Sequence, residues 1–339
     1  MIPIYRLIRL NSLVASYPLK AAAILAADVL GMRTLCLRMD PVLGCNPRCL
    51  MCHFSDPEVR RETTGRFSDE ELERIGTLFF RRTLQLVVGC GAEPTLHTAL
   101  AGIVRNAKQT HKVPSAGLVT NGQLLTRRMI EELAVAGLDE LTVSVHGVRR
   151  QTYERFMVNA SHEKLLTVLG DTDCVAGGAQ GSRMALRINY TVNPDNLEEL
   201  AGFFDVYGRF RIKVLQVRPM VALGNSEYRR DGFSGFGDEY RVVMGRLADE
   251  CRKRGVVLIA NVTDPEYRAE GRGVSVMPLV YRYVSPTVVW KPDFKWREET
   301  YREYCRRTGW RNAVLRSLFR RDAGDVAGEN RLNYDIKLP

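Results

Sequence analysis

The stretch Thr34-Leu35-Cys36-Leu37-Arg38-Met39-Asp40-Pro41-Val42-Leu43-Gly44-Cys45-Asn46-Pro47-Arg48-Cys49-Leu50-Met51-Cys52 decides the fold. Its first part, Thr34 to Met39, reads as a strand. Its last eight residues hold three cysteines, whereas the other 331 residues of the chain hold five. Parallel sheets place chemistry at the carboxyl ends of their strands. A functional cysteine cluster should therefore follow a strand, and Cys45, Cys49 and Cys52, spaced C-x3-C-x2-C, do so.

Working outward, short apolar runs alternate with longer amphipathic ones as far as Pro219. Strands are predicted over Thr34 to Met39, Leu84 to Val88, Ala116 to Thr120, Leu141 to Val145, Ala185 to Val192 and Lys213 to Val217. Helices are predicted between them, over Asp69 to Arg81, Leu96 to Thr110, Thr126 to Ala136, Gln151 to Leu169 and Asn196 to Tyr207. Ser68 lies three residues ahead of Glu71, as a capping box requires, and Gly137 reads as a helix stop. Parallel neighbours need a crossover, usually a helix, so these repeats argue for an α/β fold with a parallel sheet. Beyond Pro219 the alternation fades, leaving a predicted helix over Glu239 to Arg254 and a strand over Val256 to Ala260. The chain divides into an N-terminal helical segment (1–32), a core (33–220) and a C-terminal extension (221–339).

With 339 residues, 45% hydrophobic and 26% charged, the composition is that of a folded globular chain and excludes a disordered one. The first twenty residues, MIPIYRLIRLNSLVASYPLK, lack a secretory signal's apolar core and cleavage site. A cytoplasmic location is expected, where clustered cysteines mean metal or catalysis more often than crosslinks. No apolar run reaches the roughly 18 to 20 residues of a spanning helix. Ala21 to Leu30, interrupted by Asp28, reads as a core helix, and Ile4 to Leu10 offers peripheral membrane contact as the alternative to packing on the core.

Three thiolates limit the chemistry. Structural zinc takes four ligands, and His53, adjacent to Cys52, is badly placed to complete a tetrahedron. Cubane iron–sulfur clusters are normally held by four cysteines, so a cluster held by three leaves one iron open to another ligand.

This motif after a first strand resembles that of the radical S-adenosylmethionine (radical SAM) superfamily, single-cluster type. Further marks follow at successive strand ends. Gly89-Cys90-Gly91-Ala92-Glu93-Pro94 is similar to the family's Gly-Gly-Glu-Pro stretch, which meets the methionine amine. Thr120-Asn121-Gly122, Ser144-Val145-His146-Gly147 and Asn189-Tyr190-Thr191-Val192-Asn193 resemble the family's sequences at the next three ends. The resemblance covers about Thr34 to Pro219 and implies a partial (β/α)6 barrel, open on one side. It implies one [4Fe–4S] cluster on Cys45, Cys49 and Cys52. S-adenosylmethionine contacts are implied from Met51, Gly91, Ala92, Glu93, Pro94, Thr120, Asn121, Ser144 and Val192. It also implies a reductant such as flavodoxin or ferredoxin, and cleavage of S-adenosylmethionine to a 5'-deoxyadenosyl radical that abstracts hydrogen from an organic substrate. Cys90, His53 and His146 are the candidate catalytic residues. The chain departs from the family in having Met51 where an aromatic usually precedes the third cysteine, Ala92 for a glycine and His146 for an acid.

The segment Lys295 to Arg321 holds nine Lys or Arg against three Glu, together with Trp296 and Trp310. Basic and aromatic residues interleaved suit nucleic acid or an anionic membrane, or a helix laid on the barrel with its charges in water. The substrate expected is a small molecule or lipid-linked, with a peptide or RNA as the alternative. A zinc- and RNA-binding protein is the alternative of another class.

Overall fold

The computed structural model describes residues 13–14, 16–178, 183–220, 226–228, 232–265 and 276–320. The segment Ile4 to Leu10 lies outside the described residues. All six expected strands form and run parallel, side by side in chain order. They are β1 (Leu35–Met39), β2 (Thr83–Val88), β3 (Ser115–Thr120), β4 (Glu140–Val145), β5 (Ala185–Val192) and β6 (Ile212–Pro219). The sheet continues at both edges with strands from beyond residue 220. β7 (Val257–Ile259) pairs in parallel with β6, and β8 (Tyr281–Ser285) pairs in parallel with β1 before turning back into β9 (Val288–Val289). The order is β7-β6-β5-β4-β3-β2-β1-β8-β9, an open sheet with no pairing between its two outermost strands.

Alternation along each strand separates two faces. On β1, Leu35, Leu37 and Met39 enter the main apolar core while Cys36 and Arg38 stay half-buried. On β5, Leu186, Ile188, Tyr190 and Val192 enter it while Arg187, Asn189 and Thr191 do not. A parallel sheet covered on both faces by apolar helices would not alternate in this way. The apolar set is the convex face, packed on helices, and the polar set lines the concave face.

α1 (Tyr17–Val29) meets the expectation of a core helix on one face only: Tyr17 and Ala21 enter a second apolar cluster with Trp310 and Val314, while Leu19, Val29 and Leu30 face outward and Asp28 is buried. Asp28 points inward to two arginines rather than interrupting a buried face. α2 (Asp69–Phe79) begins under the full Ser68 and Glu71 capping box. α3 (Arg127–Ala136) stops at Gly137, whose φ of 98° is left-handed. The single helix expected over Gln151 to Leu169 is instead two, α4 (Arg150–Phe156) and α5 (His162–Gly177). Two local demands break it: Met157 and Val158 pair with Cys49 and Arg48, and Ser161 caps α5 by accepting the Lys164 amide at 3.2 Å. The expected helix over Leu96 to Thr110 begins only at Leu100, because Pro94 to Leu96 form a separate 3-10 turn.

Beyond the core, α6 (Gly237–Arg254) ends at left-handed Gly255. The basic tail folds as α7 (Tyr301–Arg307), capped by Thr300 and Glu303, and α8 (Trp310–Arg320). Phe294 and Tyr301 pack edge-on against Phe79 of α2, and Trp296 against Phe67. Trp296, Tyr301, Tyr304 and Trp310 are all buried and serve the core, whereas Phe319 near the end of α8 is exposed.

Candidate functional site

The loop from Gly44 to Ser55 leaves β1 and is fixed by its backbone. The Arg60 guanidinium donates to the carbonyls of Cys45 at 2.8 Å, Pro47 at 3.2 Å and Asn46 at 3.3 Å. The Leu50 amide donates to Phe156 at 2.9 Å, and the Ser55 hydroxyl to the Cys52 carbonyl at 2.7 Å. These bonds bring the three thiols into one another's field. Burial, then the Glu93 and Cys52 charges, push Cys45 up to about 12, and burial, then Cys45, Cys52 and Glu93, push Cys49 well above the thiol range. Burial also raises Cys52. All eight cysteines are free of disulfides.

Glu93 is the hub opposite the cysteines. It is 2% exposed and accepts from the Thr95 amide at 3.1 Å, the Thr95 hydroxyl, the Thr120 hydroxyl at 2.6 Å and the Asn121 amide at 2.8 Å. Burial raises its carboxyl, and these bonds work in the opposite direction. The ends of β2 and β3 are thereby tied together. The Asn121 amide group reaches on to Asn46 Oδ1 at 2.9 Å and Cys45 Sγ at 3.7 Å, joining the hub to the cysteine loop.

The turn carrying Glu93 depends on Gly89. Its φ is +85°, and a Cβ there would lie 2.1 Å from the Val119 carbonyl oxygen. Asp40, at the end of β1, fixes the rest of that turn. One carboxylate oxygen accepts the Cys90 amide at 2.6 Å, and the other accepts the Gly91 amide at 3.0 Å and the Tyr283 hydroxyl at 2.7 Å.

The remaining predicted residues lie around this centre. Met51 is buried with its sulfur 2.8 Å from Asn193 Nδ2. His53 Nδ1 is 3.7 Å from Cys52 Sγ, and burial lowers its basicity. Cys90 is half-buried, with burial and the Asp40 charge raising its thiol. Ser144 and His146 lie on the concave side at the end of β4, and Val192 is buried at the end of β5. His146 Nδ1 is enclosed without a hydrogen-bond partner, and burial with the Arg218 charge pushes the ring down to about 4.

A family model of the radical SAM superfamily matches residues 39–171. That span runs from the last residue of β1 through the cysteine loop and Glu93 into α5. Residues 39–171 thus form a radical SAM domain.

Among curated relatives, molybdenum cofactor biosynthesis protein moc-5 of Caenorhabditis elegans is 23% identical over 239 residues, covering 69% of this chain and 38% of its own length. A probable GTP 3',8-cyclase of Saccharolobus solfataricus is 26% identical over 196 residues, covering 57% of this chain and 60% of its own. The chain thus spans less than two thirds of the relatives it matches. Among solved structures, Streptococcus suis SuiB bound to S-adenosylmethionine aligns with a TM-score of 0.59 at 12% identity, covering 81% of this chain and 64% of that one. AnSMEcpe with bound AdoMet aligns with a TM-score of 0.51 at 17% identity, covering 66% and 62%. These structural likenesses establish a shared fold.

Three residues that hold this candidate site together escaped the sequence reading: Asp40, Arg60 and Tyr283. Asp40 carried a faint signal, an acid at a strand end followed by proline. Arg60 sits in a charged helix indistinguishable from surface, and Tyr283 comes from β8, 243 residues from its partner Asp40. Among the described residues, no three His, Cys, Asp or Glu side chains converge on the position of a single metal ion.

Proposed function

We propose that Cys45, Cys49 and Cys52 hold a [4Fe–4S] cluster, that S-adenosylmethionine binds beside it, and that the pair starts a radical reaction on a small anionic substrate. The observation that carries this reading is the joining of the cysteine loop to Glu93 through Asn121, at the carboxyl end of parallel strands. The donor set fits. Three undisulfided thiols share one electrostatic neighbourhood, and soft thiolates suit iron–sulfur chemistry. A single tetrahedral zinc would hold its sulfurs about 3.8 Å apart, from Zn–S bonds near 2.3 Å. Structural zinc also takes four ligands, and the cysteine loop offers three thiols.

When bound, the cluster would supply the one electron that S-adenosylmethionine consumes in giving methionine and a 5'-deoxyadenosyl radical, which can take hydrogen from an unactivated carbon. The chain's own residues bind and enclose. Glu93 keeps lone-pair capacity on the oxygen that accepts from Asn121, and this suits an ammonium group. Gly91, Ala92 and Pro94 hold the turn, Thr120 and Asn121 brace the carboxylate, and Ser144 stands at the end of β4 on the same face as His146. Met51, fixed by Asn193, and Val192 give the apolar contact that an aromatic supplies in relatives.

Substrate class follows from the concave face. Arg187 is paired with Glu140 and Gln216, whereas half-buried Arg38 has no ion pair among the described residues. Its charge is felt by Cys36 and Cys90. An anionic molecule small enough to enter the barrel fits that cation, and the relatives named GTP 3',8-cyclase agree in substrate chemistry. The test is oxygen-free purification followed by S-adenosylmethionine and dithionite. About four irons and four sulfides per chain, with 5'-deoxyadenosine formed, are expected. One zinc per chain with no sulfide would end the reading. Deuterium transfer into 5'-deoxyadenosine from labelled phosphorylated candidates then tests the substrate class.

A further inference from the structure

A second feature lies at the other end of the strands. Arg82 immediately precedes β2, whose six residues place it about 20 Å from the turn that carries Glu93. Here α1, α7 and α8 enclose a cavity of about 440 Å³. Its walls include Arg82, Arg302, Arg306, Arg311 and Asn312, with Asp28 the one carboxylate.

The charges do not balance. Asp28 is buried and uses one oxygen for Arg82 and the other for Arg311 Nε at 2.9 Å. One carboxylate thus orients two guanidinium groups and neutralises one. Arg302 and Arg306 have no ion-pair partner among the described residues, so the lining holds four guanidinium groups against one carboxylate, a net of about three positives at neutral pH, with Glu303 on α7 close enough to feel the Arg306 charge.

Arg82 forms the floor. Its side chain is only 9% exposed and makes one hydrogen bond, to Asp28, out of five possible donors. Among the described residues, the enclosed side-chain atoms left without partners are His146 Nδ1 and Arg282 Nε alone. The spare Arg82 donors are therefore not sealed in protein and open onto the cavity. α8 adds a field of the same sign. It starts at the cavity wall after left-handed Gly309, and no acidic residue occupies its first turn to offset the positive end of the helix dipole.

We propose that this cavity binds a phosphomonoester group. Guanidinium forks match the several oxygens of a phosphate better than one carboxylate does, and about three net positives exceed what a dianion neutralises. The volume lies within the range of small-molecule sites, so an organic group attached to the phosphate can be seated as well. The group can come from a free metabolite or from a lipid headgroup. Val29 and Leu30, 59% and 74% exposed at the end of α1, form an apolar rim that would meet acyl chains in the second case. Nothing in this inference depends on the radical chemistry.

The test is calorimetric titration of glycerol 1-phosphate into the full chain, purified without oxygen, in chloride buffer. Saturable binding at one site is expected. The double substitution R302Q/R306Q should weaken it at least tenfold without moving the melting temperature, because both side chains are exposed. R127Q/R128Q, which removes two exposed arginines from α3, should leave it unchanged. Co-sedimentation with phosphatidate vesicles, displaced by glycerol 1-phosphate and lost in Leu30→Asp, would identify the lipid as source. Binding of the soluble ester alone would identify a metabolite, and either result upholds the site. The proposal is overturned if the wild type binds neither probe, or if R302Q/R306Q binds as tightly as the wild type.

Discussion

The two faces of the same strands do opposite work. The convex face of β5 carries Leu186, Ile188, Tyr190 and Val192 into the core, while the concave face carries Arg187, Asn189 and Thr191 toward the barrel interior. A substitution on one face should read out as stability, and on the other as chemistry. The distinction is sharpest at the strand ends, where the convex residues stop and the loops from β1, β2 and β3 take over.

The largest effect expected is total. Cys45→Ala should leave a folded chain without its iron and sulfide, with 5'-deoxyadenosine formation at background. Circular dichroism checks the fold, and metal analysis checks the loss. Unchanged cleavage by this variant would mean that the chemistry does not need the cysteine loop. The convex counterpart is Ile188→Ala, fully buried. It should cost about 2–5 kcal/mol in urea denaturation by removing packed methylenes and leaving a cavity. Thr191→Ala, one strand face away, should cost under about 1 kcal/mol by the same measurement. Equal costs would dissolve the division of faces.

This division explains what was legible in sequence. The six strands announced themselves through apolar runs, and the capping box at Ser68 and the stop at Gly137 are local chemistry that a short window contains. The cysteines, Glu93 and Asn121 were legible because they sit in contiguous motifs. Asp40 and Tyr283 were not, because their meaning lies in a hydrogen bond between segments 243 residues apart. The break between α4 and α5 was invisible for the same reason: Met157 and Val158 pair with the cysteine loop, a partner more than a hundred residues upstream. Asp28 was misread because a buried ion pair and an interrupted apolar face look alike without the arginines beside it.

A smaller effect separates charge from shape at the hub. Glu93→Gln keeps one acceptor oxygen, enough for the Thr95 and Thr120 donors or for the Asn121 amide but not for both, and removes the negative charge offered to an ammonium. A charge-assisted hydrogen bond contributes about 1.5–3 kcal/mol, so S-adenosylmethionine affinity should fall about 10- to 150-fold in equilibrium dialysis. Iron content should stay as in the wild type. Loss of iron with the affinity would mean that Glu93 supports the cysteine loop itself rather than the ligand beside it.

The smallest effect belongs to His146, a concave-side residue whose cost is paid in stability. Its folded value of about 4 lies below the ordinary 6.5, because burial and the Arg218 charge both oppose protonation. The unfolded chain therefore binds a proton that the folded chain refuses. The resulting stability is full above pH 6.5 and is lost as pH falls toward 4. The bound on that loss is about 3 kcal/mol, and a residue that is half-buried as a whole should give about 1–2. His146→Gln should flatten this part of the urea-midpoint profile between pH 6.5 and 4 and run parallel to the wild type above pH 7. Carboxylates that titrate in the same window are common to both chains and cancel in the difference. If the two profiles instead fall together, His146 is solvated in the folded state and the concave face reaches water at that point.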